Sequence, residues 1–304
     1  IKGKLQSKSI EQVLKEFNIL LSQGAREIIL IAQDLGDFGK ERRERDGLER
    51  LLEKMLERPG DFWIRLLYLY PDEITPGLIS LLQREKRLCP YLDMPIQHVS
   101  DVILRAMRRK TSKAQIIDTL TMLRQEVPDI VIRTSLMVGF PGETEQEFEE
   151  LLEFVREHPL DQVGIFQFSP EKEAPASRFG GQVSQEVKQK RFERLSAVQS
   201  AVVAELGKKY IGKKLSAVIE GYHPETKMLM TGRFYGQCPE VDGQIIFNAG
   251  CEKVTNFGQL YEVVITDAMG YDLVGRVLKK RGGVNDNFPN SRVARTGSKL
   301  SLAS

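Results

Sequence analysis

The sequence predicts an α/β chain in two parts: a partial (βα) barrel, then a small all-β barrel of OB-like type. Three observations carry this. Between Ser9 and about Ser169, short apolar runs alternate with stretches of helical spacing, and such alternation demands a parallel sheet with right-handed crossovers. The short runs are nearly continuously apolar, as strands covered by helices must be. After Gly212 the texture changes to short strands separated by Gly and Asp, the pattern of a small barrel. Five βα strands are too few for a complete eightfold barrel, so the first part is an open or partial one.

The elements follow in order. Ser9 with Gln12 three residues on forms a capping-box pattern, and Val13, Leu14, Phe17, Leu20 and Leu21 then recur at helical spacing until Gly24. "EIILIAQD" (27–34) is a strand ending in polar residues, and "GLERLLEKMLER" (47–58) is a helix broken by Pro59-Gly60. "FWIRLLYLYP" (62–71) reads as a strand and "PGLISLLQRE" (76–85) as a helix with Pro at its start. "YLDMPIQ" (91–97) is a strand. "SDVILRAMRR" (100–109) and "TSKAQIIDTLTMLRQEV" (111–127) are helices opened by Ser or Thr. "IVIRTSLMVGF" (130–140), "TEQEFEELLEFVREH" (144–158) and "QVGIFQFSP" (162–170) close the series as strand, helix and strand. A long helix with Val187, Leu195, Val198, Val202 and Leu206 on one stripe connects to five short strands, "KLSAVIEG", "MLMTGRF", "GQIIFN", "YEVVITDA" and "DLVGRVL". The expected boundaries are 1–183 for the core, 184–212 for the connecting helix, 213–279 for the small barrel and 280–304 for a flexible basic tail.

Composition excludes some classes. No apolar run approaches the ~18 residues of a membrane span. A net charge of +2 does not by itself argue for nucleic acid. Cys89, Cys238 and Cys251 are far apart without C-x-x-C spacing, so they form neither a metal motif nor a disulfide framework and read as structural thiols of a cytoplasmic protein. The chain opens at Ile1 rather than Met, as a piece of a longer protein would.

In a parallel α/β sheet the working site lies at the carboxyl ends of the strands. Those ends read Gln33-Asp34, Tyr70-Pro71, Gln97-His98 with Ser100, Gly139-Phe140-Pro141-Gly142-Glu143, and Phe168-Ser169-Pro170. Taken singly, the glycines make a tight turn, Asp34 caps a loop, and Arg133 pairs with a core acid. Together at one edge they point to a ligand site. Arg105, Arg108, Arg109 and Lys110 crowd one helix end; they either complement its dipole or meet RNA or an acidic surface.

"ILIAQDLGDFG", "RLLYLYPDEIT", "YLDMPIQHVSDVILRAMRR", "IRTSLMVGFPGETEQEFEELL" and the terminal small barrel together resemble the radical S-adenosylmethionine methylthiotransferases, whose terminal barrel is a TRAM domain. The likeness runs to about Leu278. "DMPIQHVSD" and "GQCPEVDGQIIF" are similar to the branch that methylthiolates the aspartate β-carbon of the twelfth small-subunit ribosomal protein. The sister branch acts on a tRNA adenosine, and a non-catalytic RNA- or ribosome-binding module is a further alternative. From Lys213 to Lys279 there are seven Lys/Arg against eight Asp/Glu, and a net charge of −1 suits a basic protein substrate better than phosphate. The resemblance implies S-adenosylmethionine and two 4Fe-4S clusters in the full protein, with the C-x-x-x-C-x-x-C motif upstream of Ile1, so the chain alone is expected to be inactive. It implies an electron donor such as flavodoxin or ferredoxin, and possible ribosomal RNA contact. It also implies roles: Gln33 and Asp34 for the methionine ammonium group; Gln97 and Ser100 for ribose or methionine atoms; Arg133 for the methionine carboxylate; Val138, Gly139 and Phe140 around adenine; and Ser135 as a further cofactor-binding residue. On the substrate side it implies Arg105, Arg108 and Arg109, with Glu240 and Asp242 as steering charges, and His98 either orienting substrate or capping the helix.

Overall fold

The computed structural model describes residues 5–171, 174–281 and 297–303. Five strands, β1 (Glu27–Ile31), β2 (Trp63–Leu66), β3 (Leu88–Asp93), β4 (Val131–Val138) and β5 (Gln162–Gln167), lie parallel in sequence order. Helices α2 (Gly47–Leu56), α3 (Pro76–Arg84), α4 (Asp101–Ala106), α5 (Lys113–Glu126) and α6 (Glu145–Glu157) provide the crossovers, and α1 (Ile10–Ser22) precedes β1 and packs into the same core. The predicted βα alternation is borne out.

Because strand side chains alternate between faces, each strand serves two cores. Ile28, Leu30, Ile64, Leu66, Leu92 and Ile132 face the helices and pack with Phe17, Leu51, Leu120 and Phe148. The other face carries Ile29, Trp63, Leu67, Cys89, Tyr91 and Val131. It is closed by Val218, Cys238 and Leu260 of a closed barrel. That barrel comprises β6 (Lys214–His223), β7 (Thr226–Phe234), β8 (Ile245–Ala249), β9 (Gln259–Met269) and β10 (Asp272–Lys280).

The contact between the two parts is charged as well as apolar. Glu27 accepts from Arg65 Nε at 2.6 Å and from Arg233 of the barrel at 2.8 Å, while Arg233 Nε reaches Glu220 at 2.7 Å. Arg65 also donates to the Tyr235 carbonyl at 2.6 Å and lies over the Tyr91 ring at 4.4 Å. Glu27, Arg65 and Arg233 are 1%, 0% and 3% exposed, so each charge is compensated by its neighbours or not at all. The connecting helix α7 (Gln185–Lys208) packs Leu195, Val198 and Val202 on the core.

Two expectations are corrected. Residues 280–304 do not form a flexible basic tail throughout: Lys280 closes β10, and Ser298–Ser301 form β11, a sixth parallel strand on the open edge of β1. Leu300 and Leu302 are buried there, the Leu302 amide donates to the Ile31 carbonyl at 3.0 Å, and Ser7 bridges Ala303. An exposed edge offers unpaired backbone groups to any extended segment that can also bury apolar side chains, which outweighs the polar composition of "SKLS". Residues 282–296 of the expected tail lie outside the described residues. The helix expected over 100–109 ends at Ala106, where Arg108 turns left-handed at φ 58°.

Candidate functional site

Two adjoining chambers lie along the carboxyl ends of β1 to β5. The first, of about 640 Å³, is walled by Met137, Phe140, Phe166, Phe168 and Phe179, with Gln97 and Ser169 as polar groups. Phe140 meets Phe168 and Phe179 edge-on, with centroids 5.2 and 6.3 Å apart. The second, of about 450 Å³, is polar and includes Gln33, Asp34, Asp37, Tyr70 and Asp72. Met107, Arg108 and Arg109 line both chambers and form the partition.

The turn after β4 is fixed from below. Glu143 Oε2 accepts from the amides of Gly139 and Phe140 at 2.7 and 3.3 Å, and Arg191 of α7 holds Oε1 at 2.9 Å. Burial pushes the Glu143 carboxyl up, against the pull of Arg191. Lys188, also from α7, donates to the Phe168 carbonyl at 2.8 Å. At Gly139, φ is +75° and a Cβ would stand 2.3 Å from Lys188 Cγ, so only glycine fits.

Gln97 sits at φ 68° because its backbone is clamped to β4. Its amide donates to the Ser135 carbonyl at 2.8 Å and its carbonyl accepts from Met137 at 2.7 Å. His98 is fully buried and lines neither chamber. Its Nδ1 accepts from the Ser100 amide at 3.0 Å, which is the capping role, and its Nε2 lies 3.8 Å from Glu143 Oε2 without a hydrogen bond. Burial pulls its pKa down to about 4, so the ring is neutral near pH 7. Ser100 is buried at the start of α4, and the Val138 side chain is in the helix-side core.

Arg133 is committed to carboxylates: Asp93 at 2.8 Å and, from the barrel, Asp242 at 3.3 Å. Asp242 further accepts from Tyr91 and the Cys238 amide at 2.7 and 2.8 Å. Its side chain is 2% exposed, which removes it from the steering surface that the sequence placed it on. Burial raises both Asp93 and Asp242, opposed by Arg133. Glu240 is exposed but pairs with Lys299 of β11 at 2.9 Å. Asp34 receives the Gly36 amide at 3.0 Å, and burial followed by Asp37 pushes its pKa up to about 6. Arg105 is exposed and lines neither chamber. Sequence reasoning named the ends of β2 and β5 without assigning Tyr70 or Phe168 a role, and it missed Phe179, whose loop gives no periodic signal. Lys188 and Arg191 were legible only as charges inside the apolar stripe of α7.

The Radical SAM superfamily matches residues 1–155 and the TRAM domain residues 211–278. The chain belongs to the radical SAM superfamily. Within it, the chain is similar to proteins described as RimO. It is 57% identical over 280 residues to "Ribosomal protein uS12 methylthiotransferase RimO" of Protochlamydia amoebophila, covering 91% of this chain and 59% of the relative. The Chlamydia caviae and Geobacter sulfurreducens proteins of the same description are 50% and 42% identical, over 93% and 91% of this chain and 62% of each relative. The chain thus spans about six-tenths of the length of these relatives. Among solved structures, coproporphyrinogen III oxidase (HemN) from Escherichia coli aligns with a TM-score of 0.44 at 15% identity, over 74% of this chain and 60% of that one.

Radical SAM proteins use S-adenosylmethionine with an iron–sulfur cluster, and the residues present fit the first group only. The aromatic chamber, with Gln97 and Ser169 at its rim, has the volume and mixed lining of a nucleoside-sized site. A cluster needs thiolates held close together. Cys89 and Cys238 are buried thiols, each pushed up to about 12 by burial, and Cys251 belongs to the barrel. Among the described residues the grouping with metal-ligand geometry is Asp34, Asp37 and Glu73. It is all oxygen, and Lys40 bonds two of its members. These residues do not fit a cluster, and no helix of the described residues is long and apolar enough to cross a membrane.

Proposed function

We propose that the chain is the radical SAM core and TRAM domain of a RimO-type methylthiotransferase acting on an aspartate β-carbon of ribosomal protein uS12. The observation that carries this reading is the 57% identity to a RimO protein, which runs through core and barrel alike. Supporting it, the aromatic chamber opens where the parallel strands end.

In this reading Phe140 and the Gly139 backbone flank the adenine of S-adenosylmethionine, with Val138 contributing backbone only. Gln97 and Ser135 meet its ribose and methionine portion, and Gln33 and Asp34 its ammonium group. When bound, the cofactor supplies the one-electron chemistry that activates the substrate C–H bond. This chain's residues orient and shield. Phe140, Phe168 and Phe179 exclude water from the chamber, and Glu143 with Arg191 holds the turn beneath it. Arg133 assists the methionine carboxylate only by sharing a guanidinium already paired with Asp93 and Asp242. Two 4Fe-4S clusters on cysteines outside this chain, an electron donor of the flavodoxin or ferredoxin type, a cytoplasmic setting and contact with ribosomal RNA through Arg105 complete the proposal.

The test is made with the chain extended upstream to full RimO length. Purified uS12 and bulk tRNA are each incubated with the enzyme and analysed by mass spectrometry. One methylthio group on an aspartate of uS12, and none on tRNA, is the expected result. Modification of tRNA alone transfers the assignment to the adenosine-modifying branch.

A further inference from the structure

We infer that the Arg108–Arg109 partition binds the carboxylate of the substrate aspartate and sets the specificity of the site for an acidic side chain. The inference rests on the RimO reading and adds the group that recognises its substrate.

Both arginines line both chambers. They are the ionisable residues in the lining of the aromatic chamber, which otherwise consists of apolar and neutral polar groups. Arg109 is partly buried and lies over the Tyr70 ring at 4.8 Å, which fixes the plane of its fork. Among the described residues, neither Arg108 nor Arg109 has an ion pair, although Asp34, Asp37 and Asp72 line the adjoining chamber. Arginines set deeper elsewhere in the fold behave otherwise: Arg65, Arg133, Arg191 and Arg233 all end on carboxylates.

The chain reaches this arrangement at a conformational cost. Helix α4 stops at Ala106, and Arg108 takes a left-handed φ of 58° that a side chain disfavours. That turn sets two consecutive arginines on the wall between the chambers.

A planar guanidinium is matched to carboxylate by paired parallel hydrogen bonds. The exposed Arg108, with Lys110 beside it, faces the approach from solvent, while Arg109 lies deeper. A polypeptide presenting an aspartate would meet Arg108 first and lodge its carboxylate between the two forks. The β-carbon next to that carboxylate then stands at the mouth of the aromatic chamber. An asparagine lacks the charge, and a nucleobase lacks both charge and shape.

The experiment measures binding of two fluorescein-labelled uS12 peptides to the 304-residue chain by anisotropy: one with the target aspartate, one with asparagine in its place. Wild type should prefer the aspartate peptide by about tenfold, equivalent to about 1.4 kcal/mol. Arg108→Gln and Arg109→Gln should each reduce that preference below threefold without changing affinity for the asparagine peptide. Arg109→Lys should retain part of it, and Arg156→Gln, exposed on α6 and outside both chambers, all of it. Circular dichroism verifies the fold of each variant. A preference that survives in both Gln variants overturns the inference and leaves the RimO reading intact. So does a loss of S-adenosylmethionine binding with the peptide preference unchanged, since the arginines would then serve the cofactor. Binding of tRNA with no binding of either peptide overturns both.

Discussion

Replacing Glu27 with Gln tests the charged seam between core and barrel. Glu27 is 1% exposed and holds Arg65 through one oxygen at 2.6 Å and Arg233 through the other at 2.8 Å. The amide keeps the shape but removes the negative charge, and one of its two ends can no longer accept. Two buried guanidiniums then share Glu220 and backbone carbonyls. Breaking a buried pair costs about 3–5 kcal/mol, and the lower figure applies because Arg65 retains the Tyr235 carbonyl and the Tyr91 ring. With a urea slope of about 3 kcal/mol per molar, a loss of about 3 kcal/mol moves the midpoint down by about 1 M. Trp63, the only tryptophan, lies in the same inner cluster and reports the transition by fluorescence. The acid limb carries a second signature. Burial raises the Glu27 carboxyl, but Arg65 and Arg233 outweigh it and leave the folded value below the ordinary 4.5. Its stabilisation is therefore present above the unfolded value and lost as pH falls through the folded one. Glu27→Gln should lack that part of the acid sensitivity. A midpoint shift below about 0.2 M, or strict additivity with Arg233→Met where contacting residues should couple, would refute the reasoning.

Asp34 works in the opposite sense: its folded pKa of about 6 is raised by burial and then Asp37, so its ionised form costs stability above that pH and the cost is relieved as pH falls toward 4. Asp34→Asn should gain about 1 kcal/mol at pH 7.5 after solvent screening and nothing near pH 4, as read from thermal melts at the two pH values. Leu300→Ala should cost roughly 2–3 kcal/mol and speed amide exchange in β1, because Leu300 is 2% exposed against the core. Met228→Ala, at a residue 86% exposed, should stay within ~0.5 kcal/mol of wild type in the same assay.

Most of the architecture was legible because period and punctuation agree. The runs at 27–34 and 130–140 are too apolar for anything but a covered strand, and Pro59-Gly60 can only interrupt. The strand ends followed from that reading, and Gln97, Asp34 and Phe140 do line the two chambers. The sequence could not show what each charge faces. Arg133 reads as a buried cation in need of a partner, but Asp242, which supplies one, lies 109 residues away and looks like a surface loop acid. β11 was hidden for a related reason: "SKLS" is a strand only because the edge of β1 lacks a neighbour. Phe179 became visible as a wall residue only when its loop folded over Phe140.

The seating of the small barrel bears on how such chains can diverge. An appended module held by a linker can be traded between proteins with little adjustment. This one cannot, because Arg233 and Asp242 are counter-charges for Glu27 and Arg133, and Val218 and Leu260 finish a cluster begun by Trp63 and Tyr91. A hybrid joined within α7 would bury guanidiniums and carboxylates without mates unless those core positions travelled with the barrel. Change on one side of the seam therefore constrains the other, so inheritance should treat core and barrel as one unit even though the chain folds them as two.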